Sequence, residues 1–353
     1  MALPRVTMQD VARAAGVHQT TVSLALRNDP RLPERTRRRL QQLAAELGYR
    51  PDPMLSALNV YRSSRHPAQA PVTMAFLVDF RDRRELAGSY PHRQFLEGAR
   101  QQAEQIGYRL EVFYVGHATD AGAAAQRVQR ILRARGVTGV ILGAFSDELV
   151  DFPLEWGHFS AVQIESRQAG LSLHTVSNHQ FLITREAVRR LAARGYRRIG
   201  LVVGEREELH LQNAFSGGYY VGVAAAPDLA RFEPCLLTRW TVGEIAGPID
   251  AWVRAHGVEA IVSNWDVVPA ALRTKGWRVP RDIVVASLDL APGPGPNAGM
   301  RQNHAIVGAR AVEQLALLMK TNQRGLVATP NLTLVEGEWV DGTDVPRRRR
   351  ARA

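Results

Sequence analysis

From Val72 to Leu288 the sequence alternates short apolar runs with amphipathic stretches, and this alternation limits the fold more than any other feature. Val72 to Val78, Leu110 to Tyr114, Val140 to Leu142 and Ala161 to Ile164 read as strands, with helices at about 92–106 and 121–135 between them. The rhythm restarts with a helix at about 180–194, Ile199 to Val203, Cys235 to Leu237, a helix at 243–255, Ala260 to Ser263 and Ile283 to Leu288. Strands separated by helices pair in parallel, because the crossover returns each strand in the same direction and covers a sheet face. Two successive series predict two lobes. At 353 residues the chain also exceeds one ordinary core, and its length suggests about two or three domains.

The first fifty residues have a different texture. Thr7-Met8-Gln9-Asp10 offers a capping residue with an acid three positions later, Val11, Ala12 and Ala15 follow on one face, and Gly16 stops the helix. A second short helix runs from about Gln19 to Leu26, with Val22 and Leu26 turned towards the first. A third starts near Pro33, aligns Leu40, Leu43, Ala44 and Leu47, and ends at Gly48. Two short helices around a glycine turn, braced by a third, form a helix-turn-helix bundle. Arg50-Pro51-Asp52-Pro53 breaks the pattern. Met54 to Tyr61 suits one further short helix, and Arg62 to Pro71 a polar linker.

Charge follows the same division. Residues 1–66 carry eleven arginines against Asp10, Asp29, Glu34, Glu46 and Asp52, a net of +6, and the tail adds five arginines between Arg347 and Arg352. With a total of +11, residues 67–346 are neutral. A basic module on a neutral body points to a polyanionic partner for that module, although arginine-rich composition alone gives a similar bias. A like-charged block at a chain end is ordinarily disordered. Cys235 is the only cysteine, so an internal disulfide or CxxC metal site is impossible, as suits a reducing compartment. With no apolar signal segment and no run near the ~18 residues of a membrane span, the expected location is cytoplasmic, with no membrane partner.

Val6-Thr7-Met8-Gln9-Asp10-Val11-Ala12-Arg13-Ala14-Ala15-Gly16-Val17, with Thr20-Thr21-Val22-Ser23, Thr36-Arg37 and Leu47-Gly48-Tyr49-Arg50-Pro51, resembles the headpiece of the lactose-repressor (LacI/GalR) family. Looser likeness continues through Arg194-Gly195-Tyr196-Arg197-Arg198-Ile199-Gly200, Arg278 to Ile283 and Ala286 to Asp289. The resemblance implies an all-α helix-turn-helix headpiece at residues 1–50, a hinge helix and linker at 51–70, an α/β two-lobed periplasmic-binding-protein-like domain with parallel sheets at 71–346, and a disordered basic tail at 347–353. It further implies a transcriptional repressor that binds near-palindromic double-stranded DNA as a homodimer. A sugar-like effector is expected in the interlobe cleft, with neither cofactor nor metal.

By the same resemblance Gln19, Thr20 and Leu24 face the bases in the major groove. Gln19 suits adenine, Thr20 either donates or accepts, and Leu24 makes only apolar contact, with a thymine methyl or inside the bundle. Thr7, Thr21, Ser23 and Arg50 are phosphate candidates. Arg37, Arg38 and Arg39 fit either direct contact or a solvated helix face. Leu58 occupies the place of the family's hinge leucine, a wedge between base pairs, or belongs to a plain helical linker. Leu55-Ser56-Ala57-Leu58 lacks the arginine usual there.

For the effector, Asp289 follows a strand and matches a ligand-binding acid of relatives, and Trp240 matches a stacking aromatic. Tyr90 and His92 stand where the first lobe supplies cleft residues, and Asp266 is either a further ligand group or a helix cap. The family's usual arginine is missing from His210 to Gly218, which implies an altered ligand, or a large domain that only dimerises. An enzyme is disfavoured because GxSxG, HExxH, GxxxxGK[ST] and GxGxxG are all absent, and His174 and His179 are only a weak metal signal. A transport-type binding protein would not carry the headpiece.

Overall fold

The computed structural model describes residues 6–26, 28–29, 31–49, 71–116, 121–144, 152–165, 171–293 and 296–348. The headpiece consists of α1 (Met8–Ala15), α2 (Gln19–Leu26) and α3 (Glu34–Glu46). Asp10 N–H donates to Thr7 Oγ1 at 3.3 Å and Thr7 N–H to Asp10 Oδ2 at 2.9 Å, so the expected cap is reciprocal. Val11, Val22 and Leu40 are fully buried, and Leu26 packs against the cluster of Val11, Ala12, Val22 and Ala44. Leu47 is the exception on the expected stripe: it caps α3 and stays exposed.

The large domain opens with β1 (Thr73–Val78), α4 (Arg83–Gly88), α5 (Tyr90–Gln105), β2 (Arg109–Tyr114), α6 (Ala121–Ala134), β3 (Gly139–Leu142), β4 (Ser160–Ile164) and β5 (His174–Asn178). The second lobe comprises α7 (Gln180–Ala193), β6 (Ile199–Gly204), α8 (Glu205–His210), α9 (Ala214–Ala224), β7 (Cys235–Leu237), α10 (Val242–His256), β8 (Ala260–Ser263), α11 (Val268–Thr274), β9 (Val284–Ser287) and β10 (Gly299–Arg301). The chain then returns through α12 (His304–Lys320), β11 (Leu332–Val335) and β12 (Glu338–Val340). One sheet has the order β11-β5-β4-β3-β1-β2 and is parallel throughout; the other, β12-β10-β9-β8-β6-β7, is parallel except where β12 pairs with β10.

Continuous apolar strands are explained by burial on both faces. Met74, Phe76 and Val78 enter the cluster beneath α5 and α12, whereas Ala75 and Leu77 enter the cluster beneath α6. In the other lobe Ile199, Leu201 and Val203 face one core and Val202 the opposite one.

The return of α12 to the first lobe is the main departure from two simple successive series. A Cβ at Gly98 on α5 would stand 1.8 Å from Ala305 O, and one at Gly308 on α12 would stand 1.9 Å from Phe95 O. Glycine at both positions lets the helix backbones touch. Strand β5 was also unmarked by periodicity. Its His174, Thr175, Ser177 and Asn178 are polar yet buried, because they form internal hydrogen bonds such as Gln163 Nε2–H to Thr175 Oγ1 at 2.9 Å. The basic tail, expected to be disordered, remains docked at its start. Arg348 donates its N–H to Arg194 O at 2.8 Å, pairs with Glu259 and lies over the Tyr196 ring. The rest of the tail lies outside the described residues.

Candidate functional site

Helix α2 presents Gln19 and Thr20 exposed, and Ser23 and Leu24 half-buried one turn later. Val22 and Ala25, on the opposite side, are fully buried. Leu24 is outside the hydrophobic cluster to which Leu26 belongs, leaving its side chain partly open to solvent. His18 Nδ1 accepts both the Thr20 N–H at 3.3 Å and, at 2.8 Å, the Thr20 hydroxyl hydrogen. The outward oxygen of Thr20 is thereby left as an acceptor. The Thr7 hydroxyl is committed too, donating to Asp10 Oδ2 at 2.6 Å. Thr21 lies half-buried at the side of the helix.

Three of the four arginines of α3, Arg37, Arg38 and Arg39, have structural partners. Arg37 donates to Asp29 O and Leu32 O, Arg38 pairs with Glu34, and Arg39 reaches Ala15 O at 3.0 Å. These bonds brace the bundle. Arg50 and Leu58 lie outside the described residues.

The second constellation sits where the chain crosses between lobes. Asn178 ends β5 just before α7, Asn303 precedes α12, and Glu336 connects β11 to β12. Asn303 N–H donates to Asn178 Oδ1 at 3.1 Å and Asn303 Nδ2–H to Glu336 O at 2.6 Å, stitching the three crossings together. Asn178 Nδ2 also donates to Glu165 Oε1 at 2.7 Å and to His304 Nδ1 at 3.0 Å. His304 Nε2–H in turn donates to Asp289 Oδ1 at 2.8 Å. A hydrogen-bonded chain thus runs from Glu165 in the first lobe to Asp289 in the second. His304 is buried, and burial disfavours its charge, yet the hydrogen bond to Asp289 and the charges of Asp289 and Glu165 hold its pKa above the ordinary 6.5.

Tyr90 joins this group edge-on to the His304 ring at a centroid distance of 5.8 Å. Burial, then the Asp289 charge, push its phenol up from 10.0. His92 lies to one side, with Ser89 Oγ–H donating to Nδ1 at 2.7 Å and Nε2–H donating to Ala144 O at 2.8 Å. Both nitrogens are committed within the first lobe, and burial pushes its pKa down. Trp240 follows β7 and is 67% exposed, an open indole face of the kind that stacks on a ligand. Asp266 is exposed and does not cap α11, whose cap is Val267 without a side-chain hydrogen bond.

Sequence reading missed Glu165, Asn178 and His304, and also a second carboxylate site. Glu207 accepts Trp265 Nε1–H at 3.0 Å and Asn264 Nδ2–H at 2.8 Å, while the buried Asn264 Oδ1 has no partner. Within the arginine-free stretch, Glu208 is 1% exposed and accepts the N–H groups of Phe215 and Ser216 at 3.1 and 2.9 Å, filling the start of α9. Among the described residues, no group of three or more His, Cys, Asp or Glu could hold a metal, and no helix is long and apolar enough to cross a membrane.

Residues 7–52 match the family described as Bacterial regulatory proteins, lacI family. The ribose operon repressor of Haemophilus influenzae is 23% identical over 352 residues, which cover 94% of this chain and 98% of that protein. Among solved structures, the transcriptional regulator CelR in complex with cellobiose superposes with a TM-score of 0.61 at 20% identity, covering 96% of this chain and all of that one. A lac repressor dimer bound to operator and the anti-inducer ONPF gives 0.57 at 19% identity, over 97% of this chain and 100% of the other. These structures share the headpiece and parallel two-lobed architecture. Residues 7–52 accordingly carry a headpiece that matches the lacI family of bacterial regulatory proteins, and nearly the whole chain shares the fold of these transcriptional regulators.

Proposed function

We propose that this regulator is a repressor that binds a near-palindromic operator as a homodimer and changes its DNA affinity when a sugar-like molecule enters the interlobe cleft. Residues 1–50 serve as the DNA-binding module, 51–70 as hinge and linker, and 71–346 as the sensing and dimerising body. On this reading Gln19, Thr20 and Leu24 face base edges, while Thr21, Ser23 and Arg50 approach phosphates. Thr7 acts through its backbone and cap, since its hydroxyl hydrogen is held by Asp10. Leu58 is the minor-groove wedge. Two copies read two half-sites, because one short helix reaches too few bases to specify an operator alone.

The observation that carries the effector reading is the Asp289–His304 hydrogen bond, which crosses from β9 in the second lobe to α12, packed on the first. A molecule that engages Asp289 competes with His304, so occupancy and lobe geometry are coupled. Tyr90 stands edge-on to His304, and the exposed Trp240 face and Asp266 are the further candidates for stacking and hydrogen bonding. Two relatives carry ribose and cellobiose in their names, which supports a carbohydrate-like ligand. The test is to select an operator from random duplexes and measure the affinity of the full chain with and without a panel of sugars. The reading requires a ligand-dependent shift; binding unchanged by every sugar favours a constitutive DNA binder.

A further inference from the structure

A cavity of about 340 Å³ lies between the lobes beside the crossings, large enough for a molecule of monosaccharide size. Three of its lining residues, Glu165, Gln212 and Asn213, have left-handed backbones with φ of 59°, 56° and 57°. Strained non-glycine backbone collects where a site demands a particular geometry, and three of the five such residues among those described line this space.

The charge in that space is one-sided. Glu165 is the only carboxylate, arginine or lysine among the described lining residues; the rest are histidines, neutral polar groups and apolar side chains. Its Oε1 accepts from Asn178 N–H, Asn178 Nδ2–H at 2.7 Å and Gln180 Nε2–H at 3.1 Å, whereas no donor among the described residues reaches Oε2. The place where an anion would ordinarily sit, the N–H groups opening α9, is already filled by the internal carboxylate of Glu208. Among the described lining residues, an incoming carboxylate or phosphate would therefore meet Glu165 with no arginine, lysine or unfilled helix terminus. An ammonium group would find Oε2, a carboxylate oxygen to which no described residue donates.

We propose that this cavity selects a hydroxylated primary amine of monosaccharide size, its ammonium on Glu165 Oε2 and its hydroxyls among Ser177, Gln212 and Asn213. This specificity rests on reading the interlobe space as the effector site, although Asp289 does not line the cavity and is joined to it only through Glu165, Asn178 and His304.

The test is calorimetric titration of the full chain with glucosamine, N-acetylglucosamine, glucose and gluconate at about pH 6.5, below the ~7.7 of a simple α-amine. Glucosamine is expected to bind at least about tenfold more tightly than glucose or N-acetylglucosamine, the size of one charge-assisted hydrogen bond, with gluconate weakest. Glu165→Gln is expected to erase the preference. The N-acetylated sugar removes the charge without touching the protein, so the comparison stands even where the variant folds poorly. Equal or tighter binding of glucose or gluconate, or failure of all four to bind, overturns the proposal. An operator-affinity shift produced by glucose or gluconate overturns the ligand class and leaves the effector reading intact. Glucosamine binding that leaves operator affinity unmoved does the reverse.

Discussion

His304 Nε2 stands 2.8 Å from Asp289 Oδ1, and this bond ties the returning helix α12, packed on one lobe, to the segment that follows β9 in the other. Its partner on the opposite nitrogen, Asn178 Nδ2, is a donor, so the neutral imidazole carries its hydrogen on Nε2. Protonating His304 sets two donors against each other at Nδ1 while strengthening the bond to Asp289.

The raised His304 pKa gives a signed pH dependence. Its stabilising contribution is complete below the ordinary 6.5 and is lost as pH rises through the higher folded value. His92, pushed down by burial, acts in the other direction: it costs nothing well above 6.5 and lowers stability as pH falls below it. Thermal melts of wild type and His304→Gln across this range should show the wild-type advantage shrinking as pH rises past 6.5. A difference constant with pH contradicts the assignment.

Thr7 should matter through the cap. Thr7→Ala removes the acceptor for Asp10 N–H and should destabilise the headpiece by about 1 kcal/mol, with Thr7→Ser largely neutral. Hydrogen exchange in α1 of the full chain reads the loss. Equal protection in wild type and Thr7→Ala would show that the box adds nothing.

If Leu24 contacts a thymine methyl, replacing one thymine by uracil in each half-site should weaken wild-type binding but not that of Leu24→Ala. The effect is that of one buried methyl, about 0.8 kcal/mol or roughly fourfold in Kd per half-site. Equal loss in both proteins would place the leucine away from the base.

Leu58→Ala should reduce both operator bending and specific affinity, with little change in non-specific binding, because a wedge works by unstacking a base step. Fluorescence energy transfer across an end-labelled operator measures the bend. A bend unchanged by the substitution removes Leu58 from this role.

Much of this arrangement is legible in the chain itself. The strands with continuous apolar runs, such as Met74 to Val78, announce two-sided burial. The outward face of α2 follows from Val22 and Ala25 pointing inwards. What periodicity could not reveal depends on distant partners. His304 acquires its meaning only when α12 folds back onto α5 through the glycine contacts at Gly98 and Gly308. Asn178 and Glu165 lie at strand ends whose polarity resembles loop sequence, and the bonds that explain their burial come from residues up to 126 positions away. Asp289 was visible as an acid after a strand, but not its engagement by histidine.

The most direct test of ligand control through the cleft is operator binding by Asp289→Ala, measured by anisotropy with and without a sugar that shifts the wild type. The account predicts that the variant still binds operator in at least one state and no longer responds to the ligand. A ligand response of wild-type size in Asp289→Ala would contradict it.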